Sequence, residues 1–167
     1  KAAADLGLGF HEDLAAIESH GQLEGGGGLS QRAMKRGSKA LGTLGSGNHF
    51  CELQVVERIE DEVAAAAFGL REGQLCAMIH TGSRGLGHQV CSDHVSALES
   101  EYRGRGDAWH SDRWDITLPD RQLAAAPFHS REGQAYFQAM QAAGNYAFAN
   151  RSALTQNLRD VLRQHIG

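Results

Sequence analysis

The stretch Leu41–Val56, LGTLGSGNHFCELQVV, places a polar Asn48–His49 pair between a glycine-rich loop and a run of β-forming residues. From His49 to Ile59 the composition predicts a strand, with His49, Cys51, Leu53 and Val55 on one face. A second segment inverts this order. QLCAMIH, Gln74–His80, is an apolar run of strand length, which suits a buried strand, and it ends in His80 before the glycine-punctuated TGSRGLGHQ. One histidine therefore opens a strand and the other closes one. Antiparallel pairing of the two strands brings both imidazoles to one sheet edge. Neutral imidazole is a ligand for Zn, Mn, Fe, Ni or Cu, and two imidazoles saturate none of these ions. The alternative is a pair of buried histidines satisfied by backbone carbonyls.

The loop after His80, GSRGLG (Gly82–Gly87), lets backbone N–H groups converge at the start of a helix, and Arg84 adds a fork of donors matched to phosphate. It lacks the GK[ST] of a P-loop and does not match GxGxxG. A tight turn with an exposed arginine is the plainer reading. Asn48 and Glu52 offer the donor and acceptor groups that read a base or ribose, or they serve a turn and a solvated face. Cys51 fits a small core residue better than a ligand.

The other elements follow from pattern. Phe10–Gly21 reads as a short helix, LEGGGGLS as a flexible linker, and Gln31–Gly37 as a short helix capped by Ser30. Asp61–Gly73 holds a helix or helical turn and then a turn, and a helix follows the glycine loop through VCSDHVSALESEY. RGRGDAWHSDRW reads as irregular, LPDRQLAAAPF as extended, and the chain from Arg131 onward as one long helix. His11, His20, His88, His94, His110, His129 and His165 read as surface residues. Mixed elements give an α+β class. The 167 residues amount to one domain, and 41% hydrophobic with 22% charged residues suits a globular protein. A net charge of −4 opposes a globally basic nucleic-acid binder but leaves room for a local basic groove. No run is long enough to span a membrane, and three cysteines without CxxC spacing fit a reduced, cytoplasmic setting. The start at Lys1 and the end after a helical run suggest an internal piece of a longer chain.

Four segments, LGTLGSGNHFCE, IHTGSRGLGHQ, LPDRQLAAAPF and EGQAYFQAMQAAGNYAFANR, resemble the RtcB family of tRNA-splicing RNA ligases in order and spacing. The resemblance covers nearly the whole chain and the middle of the family's sequence. It implies a single partial domain over residues 1–167, with strands, flanking helices and one long C-terminal helix. It implies joining of RNA 2′,3′-cyclic phosphate or 3′-phosphate ends to 5′-hydroxyl ends, with GTP and two Mn²⁺ ions, through a histidine–GMP intermediate. His49 and His80 resemble ligands of the two metals. Asn48, His49, Phe50 and Glu52 resemble nucleotide contacts, and Ser83 and Arg84 contacts to RNA phosphate. RNA, GTP and an archease-type activating protein are the implied partners. The family's upstream Asp-x-x-Cys ligands and its downstream HN histidine have no counterpart. No GMP-accepting histidine is identified, and His165 in RQHIG does not match. The second expectation is accordingly a nucleotide- or phosphate-binding module without catalysis.

Overall fold

The structure, a computed structural model, describes residues 2–166. Its elements run α1 (Ala2–Asp5), α2 (Gln31–Ser38), β1 (Phe50–Val55), α3 (Glu62–Phe68), β2 (Leu75–His80), α4 (Arg84–Glu99), β3 (Arg103–Arg105), β4 (Ala108–Ser111), β5 (Ile116–Leu118) and α5 (Arg131–Ile166), an α+β arrangement. Among the described residues there are two sheets: an antiparallel β1–β2 ribbon and a β3–β4–β5 meander.

The core lies where α2, α4 and α5 meet. Ala33, Leu86, Val90, Ala139 and Ala143 are its buried side chains, flanked by Leu29, Tyr136 and Tyr146. Small residues at helical spacing on α5, Ala139, Ala143, Ala147 and Ala153, are all buried and let the other elements approach its axis closely. Gly37 serves the same end on α2, since a Cβ there would lie 2.7 Å from Leu86 Cδ1. The Tyr146 hydroxyl closes this contact by donating to the Gly37 carbonyl at 2.7 Å. Ser30 caps α2 by accepting from the Ala33 N–H at 3.1 Å. Asp61 caps α3 in the same way, and Gly69 ends it in the left-handed conformation.

Several elements depart from the sequence reading. Phe10–Gly21 forms two 3₁₀ turns, His11–Ala15 and Glu18–Gly21, broken at Ser19 and His20, where φ is 51° and 52°. The four-glycine segment is no free linker. It runs along α5, with the Gly26 N–H donating to Gln138 Oε1 at 3.1 Å. Beside it, the Asn145 carboxamide brackets the Leu23 backbone, at 2.7 Å to its N–H and 3.1 Å to its carbonyl. The segment read as irregular, Arg103–Trp114, supplies β3 and β4 of the meander. His110 is therefore not solvated: its side chain is only 13% exposed, and Nδ1 lies 2.9 Å from Thr117 Oγ1. His94 is half-buried beside the Tyr136 ring.

The β1–β2 ribbon is not buried. Val55 is 62% exposed and Leu75 57%, because β1 and β2 pair only with each other among the described residues. β1 is also shorter than read, ending at Val55.

The N-terminal turns are tied to α5 by a bidentate pair, Arg159 Nη1 and Nη2 to the Asp13 carboxylate at 2.8 and 2.7 Å. Those hydrogen bonds hold the Asp13 carboxyl at about 2, against an ordinary 3.8. Its folded value lies below its unfolded one. Its stabilisation is therefore complete above the unfolded value and is lost as pH falls through about 2. Asp13→Asn should cost about 1 kcal/mol at neutral pH. In paired thermal melts, the gap between variant and parent should close as pH drops from 5 toward 2; a gap that stays constant contradicts the assignment.

Candidate functional site

The ribbon places its two histidines by register. His80 pairs with Phe50, and their rings lie 5.3 Å apart between centroids. His49 sits one residue before the strand, so plain alternation would turn it to the opposite face with Cys51. A local turn prevents that. His49 Nδ1 lies 2.7 Å from the Ser46 carbonyl oxygen. The ring stands 6.1 Å from that of His80, edge to face. A carbonyl only accepts, so in the neutral ring Nδ1 carries the hydrogen and Nε2 presents its lone pair.

Arg84 reaches the same place from the first turn of α4. A Cβ on Gly45, whose φ is +116°, would run into the Arg84 guanidinium and lie 2.9 Å from His49 Nδ1. Glycine is required there by both its backbone angle and the space available. Arg84 itself has a φ of 52°, and its Nε donates to Thr43 Oγ1 at 3.3 Å. The glycine-rich loop therefore wraps the arginine.

The helix begins earlier than the sequence suggests. Gly85 and Gly87 lie inside α4 instead of in a loop. Their role is close packing: a Cβ on Gly85 would meet Arg36, and one on Gly87 would meet Ser83 and Ala143. The phosphate-cradle reading thus narrows to Thr81–Arg84, where α4 starts.

Of the sequence-predicted residues, the fold brings together His49, Phe50, His80 and Arg84. Glu52 lies two residues along β1, on the Phe50 face, and accepts from Gln54 Nε2 at 2.7 Å. Asn48 is exposed beside His49, and Ser83 is half-buried at the N-cap of α4. Among the described residues no three His, Cys, Asp or Glu side chains converge as a metal cluster. Two imidazoles are donors of the kind that first-row divalent ions take, and would form only part of a ligand set.

Sequence reading did not single out the residue that assembles this site. Asn150 on α5 is fully buried. Its Oδ1 accepts from the N–H groups of Gly42 at 2.7 Å and Thr43 at 3.2 Å. Its Nδ2 donates to the carbonyls of Thr43 at 3.1 Å and Gly82 at 3.2 Å. One carboxamide thus ties both histidine-bearing loops to one helix. Arg151 adds a bond from Nη1 to the Thr81 carbonyl at 3.1 Å, and Thr81 Oγ1 donates to the Leu44 carbonyl at 2.6 Å. The available signal was an asparagine set in the alanine stripe of the long helix.

Known proteins share this arrangement of sequence. The family model described as tRNA-splicing ligase RtcB matches residues 1–167. The chain belongs to the RtcB family. It is 49% identical over 166 residues to the tRNA-splicing ligase RtcB of Pyrococcus furiosus, an alignment covering 98% of this chain and 16% of that protein. It is 48% identical over 167 residues to the RNA-splicing ligase RtcB of Mycobacterium tuberculosis, covering 99% of this chain and 37% of that protein. The corresponding figures for the RtcB of Thermococcus kodakarensis are 48% over 166 residues, 98% and 33%. The chain thus spans between about a sixth and about two fifths of the length of these RtcB relatives.

Replacing Asn150 with Ala should destabilise the chain by about 2 kcal/mol, because it strands part-buried backbone groups of both loops. Asn150→Asp should rescue poorly, since a carboxylate cannot donate to the Thr43 and Gly82 carbonyls. Denaturant melts measure both; a loss below about 0.5 kcal/mol for the alanine variant contradicts the clamp.

Proposed function

We propose that this chain is the middle portion of the catalytic domain of an RNA ligase. The ligase joins RNA 2′,3′-cyclic phosphate or 3′-phosphate ends to 5′-hydroxyl ends, using GTP, Mn²⁺ and a histidine–GMP intermediate. Membership of the RtcB family supplies the ligase class. The observation that carries the rest is the meeting of His49 and His80, 6.1 Å apart, beside the Arg84 guanidinium at the start of α4.

Each residue then has a task. His49 and His80 would hold the metal ions through their ring nitrogens, and the Ser46 carbonyl orients the His49 ring. When bound, manganese would supply charge neutralisation at the triphosphate. Asn48, Phe50 and Glu52 line the ribbon where the guanine nucleotide lies. Ser83 and Arg84 take the RNA phosphate, with the planar guanidinium gripping two oxygens at once. The remaining ligands and the GMP-accepting histidine come from residues beyond this chain. On its own, this chain should be inactive and should bind Mn²⁺ weakly. The ligase works on tRNA halves or broken RNA in the cytoplasm, with an archease-type protein as its activator; no helix among the described residues is long and apolar enough to cross a membrane.

The absence of a third converging ligand among the described residues favours one other reading: a phosphate- or nucleotide-binding module without chemistry. An adduct assay separates the two. In the full-length ligase, His49→Ala or His80→Ala should abolish the protein–GMP adduct while costing less than about 1 kcal/mol of stability, because neither ring is buried. Arg84→Ala should weaken RNA binding and leave the adduct, with Arg84→Lys a poor substitute. Adduct formation by folded histidine variants would overturn the metal assignment, and equal loss of adduct and RNA binding at Arg84 would move it out of the RNA site.

A further inference from the structure

The chain carries a net charge of −4, yet no Asp or Glu occurs between Glu24 and Glu52. Within that interval lie Arg32, Lys35, Arg36 and Lys39, all in or directly after α2. Ala33 and Gly37 bury the opposite side of this helix against α4. At 100° per residue, Arg32, Lys35 and Lys39 fall in one narrow arc on the solvent side. All three are exposed. Among the described residues, none makes an ion pair with a carboxylate. Arg36 leans instead toward α4, donating to Gln89 Oε1 at 3.0 Å. Arg32 acts on the Asp93 carboxylate at longer range, but that group is already engaged by the Ser30 hydroxyl at 2.7 Å and by Gln89 Nε2 at 2.6 Å.

Helix stability does not explain the row. Cations in the last turn complement the helix dipole, which accounts for Lys35 and Arg36. Arg32 lies in the first turn, where a cation is unfavourable and where this helix has no acid. The row also has a direction. α2 ends at Ser38 and runs, through Lys39, into the glycine loop that wraps Arg84 and presents His49.

We propose that the solvent face of α2 is a phosphate track, on which Arg32, Lys35 and Lys39 hold the backbone of an RNA strand whose end lies at Arg84, His49 and His80. This deepens the ligase reading and rests on it. From Arg32 to Lys39 is about 10 Å along a helix axis, roughly three steps of a stacked strand. Three cations thus meet about three phosphates. The contacts read charge and spacing and carry no base specificity.

The test uses this chain, a fluorescent single-stranded RNA 12-mer with a 3′-phosphate, and the variant Arg32→Gln/Lys35→Gln/Lys39→Gln. Anisotropy titrations are repeated from 50 to 200 mM salt. Loss of three phosphate contacts should reduce the slope of log affinity against log salt by about 2, and lower affinity at 50 mM salt by at least about tenfold. The thermal midpoint should stay unchanged, because the three side chains are solvent-exposed. An unchanged slope overturns the track and leaves the ligase assignment standing, since the GMP-adduct assay on His49 and His80 reads that separately. Equal competition by polyglutamate of matched charge also overturns it, pointing to an acidic protein partner instead. No binding by the unaltered chain at 50 mM salt does the same.

Discussion

The site depends on one buried carboxamide. Asn150 makes four hydrogen bonds from the interior of α5, to the glycine loop before β1 and to the loop after β2. Both loops are rich in glycine and would sample many conformations if left to themselves. A side chain that offers two donors and acceptors in one plane satisfies both backbones at once. Because it is buried, any other arrangement of the loops leaves polar groups unpaired, which makes this geometry strongly preferred. The positions of His49, His80 and Arg84 follow from it.

The helices supply the rigidity that this clamp needs. α5 presents small residues to α4 and to the N-terminal segment, so that its polar side chains reach backbone atoms directly. Gly37 and Gly87 do the same on α2 and α4. Close approach lets a short side chain such as asparagine act at a distance in sequence of more than a hundred residues. The flexible-looking glycine run at Gly25–Gly28 is ordered by this means, through partners on α5 that local composition does not reveal.

The histidine pair was legible in the sequence because strand pairing converts two end positions into one place. Ser30 as a cap and the long C-terminal helix were legible because caps and helical periodicity are local. The β3–β5 meander was not: its strands are only three or four residues long, and β3 is Arg-Gly-Arg, so no run is long enough for alternation or apolar content to mark it. The exposure of β1 and β2 was not legible either, because apolar content reports suitability for burial and says nothing of what covers the surface. Asn150 was hidden for a related reason. Its position on the alanine stripe marks it as inward-facing, but its partners lie 68 to 108 residues away.

The central claim is that Asn150 holds His49 and His80 at one metal-binding place. Histidine-labelled chain titrated with substoichiometric Mn²⁺ tests it by paramagnetic broadening of the imidazole resonances. The account predicts that His49 and His80 broaden together, ahead of His11, His20, His129 and His165, and that Asn150→Ala removes this selectivity. Broadening of one of the pair without the other, or uniform broadening of all six, would contradict it.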